Sequence, residues 1–137
     1  MQRVASLLLG PEGLWIAISL VASLFAARNE PSTAAGNDFL ETLWLAIPSI
    51  GIPLTFLTAY LPGSGGWWWL LRAVVGSIVG VLVASFIAAS GVDYHNSRNS
   101  GLLSAPLYSL IIGLLLLVPL TILVAVLIWK KNRARTR

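Results

Sequence analysis

Cysteine is absent from this chain, which excludes disulfides, thiolate metal sites, cysteine nucleophiles and thioether attachment of haem. Histidine occurs once, as His95, so a metal or haem site built from several histidines of this chain is excluded too. Charge is scarce: only 10% of the 137 residues are charged and 57% are hydrophobic, whereas an ordinary soluble domain is roughly 25% charged. A chain so poor in charge cannot clothe itself for water. No glycine-rich phosphate cradle, His-Glu-x-x-His pair or serine elbow is present. The expectation is a chain that is not an enzyme and holds no cofactor.

What the sequence has instead is long apolar runs separated by short polar ones. Leu102 to Trp129 is the longest; as a helix it extends about 40 Å, more than the roughly 30 Å of a bilayer's hydrocarbon. It is followed at once by Lys130, Lys131, Arg133, Arg135 and Arg137. Lys and Arg flanking a span are retained in the cytoplasm, so this basic tail labels the side on which the span ends. The net charge of +4 rests largely on those five residues. Its natural partners are anionic lipid headgroups, not nucleic acid.

Upstream, Gly10-Pro11-Glu12-Gly13 reads as a helix start, because proline at the first helical position lacks an N–H that would go unpaired there. The residues before it form an interfacial segment or an extra helical turn. Arg3 plus an apolar run resembles a cleaved leader in outline, but Glu12 breaks the apolar stretch, and the segment is read as retained. Residues 28–38 are a polar loop, and Asp38-Phe39-Leu40-Glu41 has the spacing of a capping box. Pro62-Gly63-Ser64-Gly65-Gly66 cannot continue a helix, and Trp67-Trp68-Trp69 suits a membrane edge. The sequence therefore predicts an all-α bundle of four transmembrane helices at about 11–27, 39–61, 67–90 and 102–129. Residues 1–137 make a single transmembrane domain with a basic tail at 130–137.

Four spans put both termini on one side. Arg3, Arg72 and the tail then fall in the cytoplasm with Glu12, while Arg28, Arg98, Glu30, Asp38, Glu41 and Asp93 lie outside. The charge asymmetry agrees with cytoplasmic N and C termini in a bacterial inner membrane.

Three constellations stand out. Gly76, Gly80, Ala84 and Ala88 recur every four residues and form a narrow stripe of small side chains, of the kind that lets helices approach closely in lipid. Its expected mate is a neighbouring helix of the same chain, with Ser19, Ala22, Ser23 and Ala26 of the first span as the matching face. Pro48 and Pro53 in the second span and Pro119 in the fourth each deprive a carbonyl four residues back of its partner: Trp44, Ser49 and Leu115 in turn. They are expected to kink these helices. Arg72 and Glu12 both fall near the cytoplasmic edge, where Arg72 can reach the headgroups or pair with Glu12. Asp93, Tyr94 and His95 share a loop but have no nucleophile beside them.

These features lead to two expectations from different classes. The first is a non-catalytic accessory subunit of a larger bacterial inner-membrane complex, such as a respiratory, photosynthetic or transport assembly. Its partners are membrane lipids and other integral membrane subunits, with homo-oligomers also possible. The alternative is a small oligomeric transporter or channel using proline-kinked helices 2 and 4, its polar path drawn from Ser49, Thr55, Thr58, Ser77, Ser85, Ser109 or Thr121.

Overall fold

The computed structural model describes residues 3–5, 10–31, 33–60, 66–92 and 104–137. Among them there is no strand. Four long helices follow one another: α1 (Pro11–Arg28), α2 (Ala34–Leu57), α3 (Trp67–Ser90) and α4 (Ser104–Arg135). All four are long and apolar enough to cross a membrane.

Each boundary has a local cause. Helix α1 starts on Pro11 with Glu12 in its first turn, and it closes where Asn29 N–H donates to the Ala26 carbonyl at 3.2 Å. Helix α2 begins at Ala34, five residues before the sequence-predicted start at 39. Thr33, in extended backbone, accepts a hydrogen bond from Gly36 N–H at 3.0 Å and so caps the helix. Asp38 and Glu41 consequently lie inside the helix instead of forming the capping box. At its far end α2 stops at Leu57 and tightens into a 3₁₀ turn, Thr58–Tyr60. Helix α3 starts after Gly66, whose φ of +143° is open to glycine alone. Helix α4 starts at Ser104 and runs to Arg135, so the basic tail continues the helix through most of its length.

Hydrogen bonds identify the two ends of the bundle. At one end the side chain of Asn29, after α1, donates to Asn37 Oδ1 at 2.8 Å and to the Gly91 carbonyl at 2.8 Å. Its own Oδ1 accepts from Thr33 N–H at 3.3 Å. One buried amide thereby joins the close of α1, the start of α2 and the close of α3. At the opposite end Trp69 Nε1, in the first turn of α3, donates to Thr58 Oγ1 at 3.2 Å, and the Trp69 ring meets Phe56 edge-on at 6.0 Å. Trp67 and Trp68 are exposed, whereas Trp69 turns inward. The tryptophan triplet is thus divided between outer surface and core, not wholly given to the membrane edge.

Helices α2 and α3 touch each other and both outer helices, while α1 and α4 lie on either side of them. The core is built from Trp15, Leu40, Trp44, Ile52, Phe56, Trp69, Val81, Leu117 and the alanines of α3. Among the described residues its buried polar side chains are Asn29, Asn37, Thr55, Ser77, Ser85 and Ser109, none of them ionisable. The outer surface carries large apolar side chains on every helix, including Leu20, Leu24, Leu54, Val79, Leu115 and Ile122. At 1.5 Å per residue α4 is about 48 Å long and α3 about 36 Å, so the end of α4 projects beyond its neighbours.

Candidate functional site: the α1–α3 face and the bundle interior

Helices α1 and α3 both run away from the end marked by Trp69, so they lie side by side in the same direction. Their register is constant. A Cβ added at Gly76 would meet Pro11, one at Gly80 would strike the Trp15 indole, and one at Gly91 would strike Ala26. In each pair the glycine, on α3 or capping its end, follows its α1 partner by 65 positions. The same offset brings Ser19 and Ser23 to the level of Ala84 and Ala88. Gly80, Ala84 and Ala88 are buried and Gly76 is half-buried. The four small residues of α3 thus follow one neighbour inside the chain, as close backbone approach requires.

Trp15 fills the space that two glycines leave open. Its six-membered ring lies against Gly51 of α2, and the junction of its rings lies against Gly80 of α3. The residue is 4% exposed. Sequence reasoning missed this wedge; a signal existed in two glycines, on different helices, at the depth of one large aromatic.

At the open end of this interface Arg72 Nε donates to Glu12 Oε1 at 2.8 Å and Arg72 Nη2 to Glu12 Oε2 at 2.7 Å. This is the planar two-bond match of guanidinium to carboxylate. It ties the first turn of α1 to α3 and keeps Arg72 from being a lone charge in an apolar surface. Both side chains remain partly exposed, 24% for Arg72 and 35% for Glu12.

The prolines do not interrupt their helices, and they do not converge. Pro48 is buried between α2 and α4, where Gly113 leaves room for it. Pro53 is exposed, as is Ser49, whose carbonyl it deprives. Pro119 and Leu115 are likewise exposed. Of the three carbonyls, Trp44's belongs to a buried residue and accepts a 2.6 Å hydrogen bond from Ser109 Oγ of α4. Thr55 Oγ1 donates back to the Gly51 carbonyl at 2.7 Å, and Thr58 Oγ1 to the Thr55 carbonyl at 2.6 Å. The hydroxyls of Ser77, Ser85 and Thr121 are buried without partners, as are the indole N–H groups of Trp15 and Trp44. A helical serine can turn its hydroxyl to the carbonyl four residues back, here Ala73 for Ser77 and Val81 for Ser85. Beside Ser77 lies a void of about 10 Å³ lined otherwise by apolar groups such as Ile52, Val81 and Leu117. It is at the lower limit for a water and lacks the two or more polar partners a buried water needs.

Lys130, Lys131, Arg133, Arg135 and Arg137 are all exposed on the projecting end of α4, with the Arg133 guanidinium 4.9 Å from the centre of the Trp129 ring. Asp93, Tyr94, His95 and Arg98 lie outside the described residues, as does most of the segment before Gly10. Among the described residues no three His, Asp or Glu side chains come together as a metal site would need.

The class defined by this architecture is an all-helical bundle whose four long helices suit a multi-pass membrane protein. Comparison with protein-family models, with curated proteins and with solved structures finds no match.

Proposed function

We propose that the chain is a non-catalytic accessory subunit of a larger bacterial inner-membrane complex, with both termini cytoplasmic, packing against partner helices and lipid. The observation that carries this reading is the chemistry of the interior among the described residues: the buried polar groups are uncharged, and the buried Trp44 carbonyl freed by Pro48 is closed by Ser109. A transporter holds its cargo on unpaired carbonyls or ionisable groups near mid-depth. This bundle spends those groups on holding itself together, while its outer surface presents apolar side chains on all four helices. Purification in mild detergent tests the reading. The expected result is recovery with other integral membrane chains at a fixed ratio; a monodisperse particle containing this chain alone overturns it.

The unpartnered hydroxyls of Ser77 and Ser85 favour a second reading, a small oligomeric transporter or channel using helices α2 and α4. Flux through liposomes that contain this chain alone, lost on Pro53→Ala or Pro119→Ala, would select it over the first.

A further inference from the structure

We propose that the outer groove between α1 and α3 holds one acyl chain of a zwitterionic phospholipid bearing a primary ammonium, whose headgroup sits on the Glu12–Arg72 pair. The inference rests on the membrane reading above and adds a ligand to it.

Two concave stretches meet at the ion pair. One, of about 460 Å³, runs between the helices past Ser19, Ser23, Gly76 and Val83. The other, of about 390 Å³, lies over Trp68, Leu71, Arg72 and Val75. Both are bordered by Glu12, Gly76 and Val79, so the groove is continuous at the charged end. From Arg72 to Ile87 it extends about 22 Å along α3, more than the roughly 15 Å of one leaflet, so an acyl chain anchored at the charged end fits within it. Gly76 keeps it open: a Cβ there would meet only Pro11 Cβ, at 3.7 Å, and anything longer would lie in the groove.

The charges decide which headgroup fits. Arg72 uses two of the five guanidinium N–H groups on Glu12, and Glu12 accepts those two and one from its own backbone N–H, out of about four hydrogen bonds a carboxylate can take. Donors and an acceptor are therefore left over, side by side, on two half-exposed side chains. Because the pair is neutral as a whole, it has no preference for a purely anionic lipid. It matches a headgroup that carries both signs, with phosphate on the free guanidinium edge and ammonium on the free carboxylate lone pair. A primary ammonium donates hydrogen bonds to that carboxylate; a trimethylated one cannot. Trp68, 71% exposed beside Arg72, supplies an indole at headgroup level.

The test uses the full-length chain purified in detergent, with native mass spectrometry and thermal unfolding read in parallel. Phosphatidylethanolamine, phosphatidylcholine and phosphatidylglycerol with identical acyl chains are the probes. The expected result is one retained phosphatidylethanolamine per chain and a higher unfolding midpoint with that lipid than with the other two. Gly76→Leu should weaken retention by about tenfold or more while helicity is kept and the lipid-free midpoint does not fall, and Glu12→Gln/Arg72→Gln should abolish the headgroup preference. Equal effects of the three lipids, or full retention by Gly76→Leu, overturn the proposal. So does crosslinking of Gly76→Cys to another polypeptide, which would mean that a helix occupies the groove. A chain that inserts into vesicles without discriminating headgroups loses this site and keeps the membrane reading, whereas a chain that stays dispersed in water without detergent loses both.

Discussion

The hydroxyl of Ser109 donates a 2.6 Å hydrogen bond to the carbonyl of Trp44, the carbonyl that Pro48 leaves without its helical partner. Two defects cancel across a helix interface: a proline removes a donor from α2, and α4 returns one from a side chain. In an apolar interior an orphaned carbonyl is costly, so this contact locks α4 to α2 at one depth.

Ser109→Ala should therefore lower stability by about 0.6–2 kcal/mol, the lower figure reflecting the modest worth of hydrogen bonds between helices in membrane proteins. In a Pro48→Ala background, residue 48 regains its N–H and can close the Trp44 carbonyl itself. The Ser109→Ala loss should then shrink. A double-mutant cycle on unfolding in detergent measures this coupling, and simple additivity of the two changes would contradict the account.

The glycines of the α1 interface should separate sharply. Alanine at Gly80 or Gly51 meets the buried Trp15 indole and should destabilise by about 1–3 kcal/mol. Alanine at Gly76 finds only a 3.7 Å contact with Pro11 and gains helix propensity of up to about 1 kcal/mol. Thermal midpoints followed by circular dichroism rank the three variants; Gly80→Ala as stable as Gly76→Ala would remove Trp15 from its proposed role as a wedge.

Much of this architecture was legible because apolar length and turn residues are local signals. The ends of α3 are those read from the turn ending at Gly66 and the break after Ser90, and the Glu12–Arg72 pair follows from two charges near one edge. The start of α2 was not legible. Ala34, Gly36 and Asn37 look like loop residues, yet Gly36 is small because the Asn29 amide packs on it, and Asn37 faces inward to bond that amide. Those reasons come from contacts between helices, which no local pattern records. The same holds for Ser109: a serine in an apolar run is ambiguous until the helix opposite brings a particular carbonyl to it. Prolines were legible as positions but not as a site, since Pro53 and Pro119 turn to the outer surface and Pro48 to the interior.

Asn29 offers a test of polarity without a change of size. Its amide donates both hydrogens to acceptors, Asn37 Oδ1 and the Gly91 carbonyl. Asn29→Asp keeps the acceptor for Thr33 N–H but sets a third oxygen against the two acceptors, and should be worse than Asn29→Ala, which abandons all three bonds without that repulsion. The loss for alanine should be about 1–3 kcal/mol, as for other buried acceptors left unpaired. An Asn29→Asp variant more stable than Asn29→Ala at neutral pH would show that the hydrogen-bond directions are wrong.

Exchange of the two charges tests whether the ion pair registers α1 against α3. Glu12→Arg and Arg72→Glu each place two like charges together and should impair folding or assembly, whereas the double exchange should restore most of it. Restoration should fall short by about 0.3–1 kcal/mol, because Glu12 is attracted to the positive end of the α1 dipole and an arginine there is repelled by it. Yield of folded protein after extraction is the readout, and no rescue by the double exchange would mean that the contact is incidental.

The absence of cysteine makes the topology directly measurable. Single cysteines at Glu30, in the connection that follows α1, and at Thr136, beyond the last turn of α4, both replace exposed residues. Three helices separate these positions, an odd number of crossings, so an impermeant thiol reagent must reach them from opposite sides if every helix spans. The proposed direction follows from charge: Lys and Arg flanking a span are retained in the cytoplasm, which would put Lys130, Lys131, Arg133, Arg135 and Arg137 there. Reagent added to intact cells stripped of their outer layers should label Glu30→Cys at once and Thr136→Cys only after lysis. Equal labelling of both before lysis would mean that one helix fails to cross.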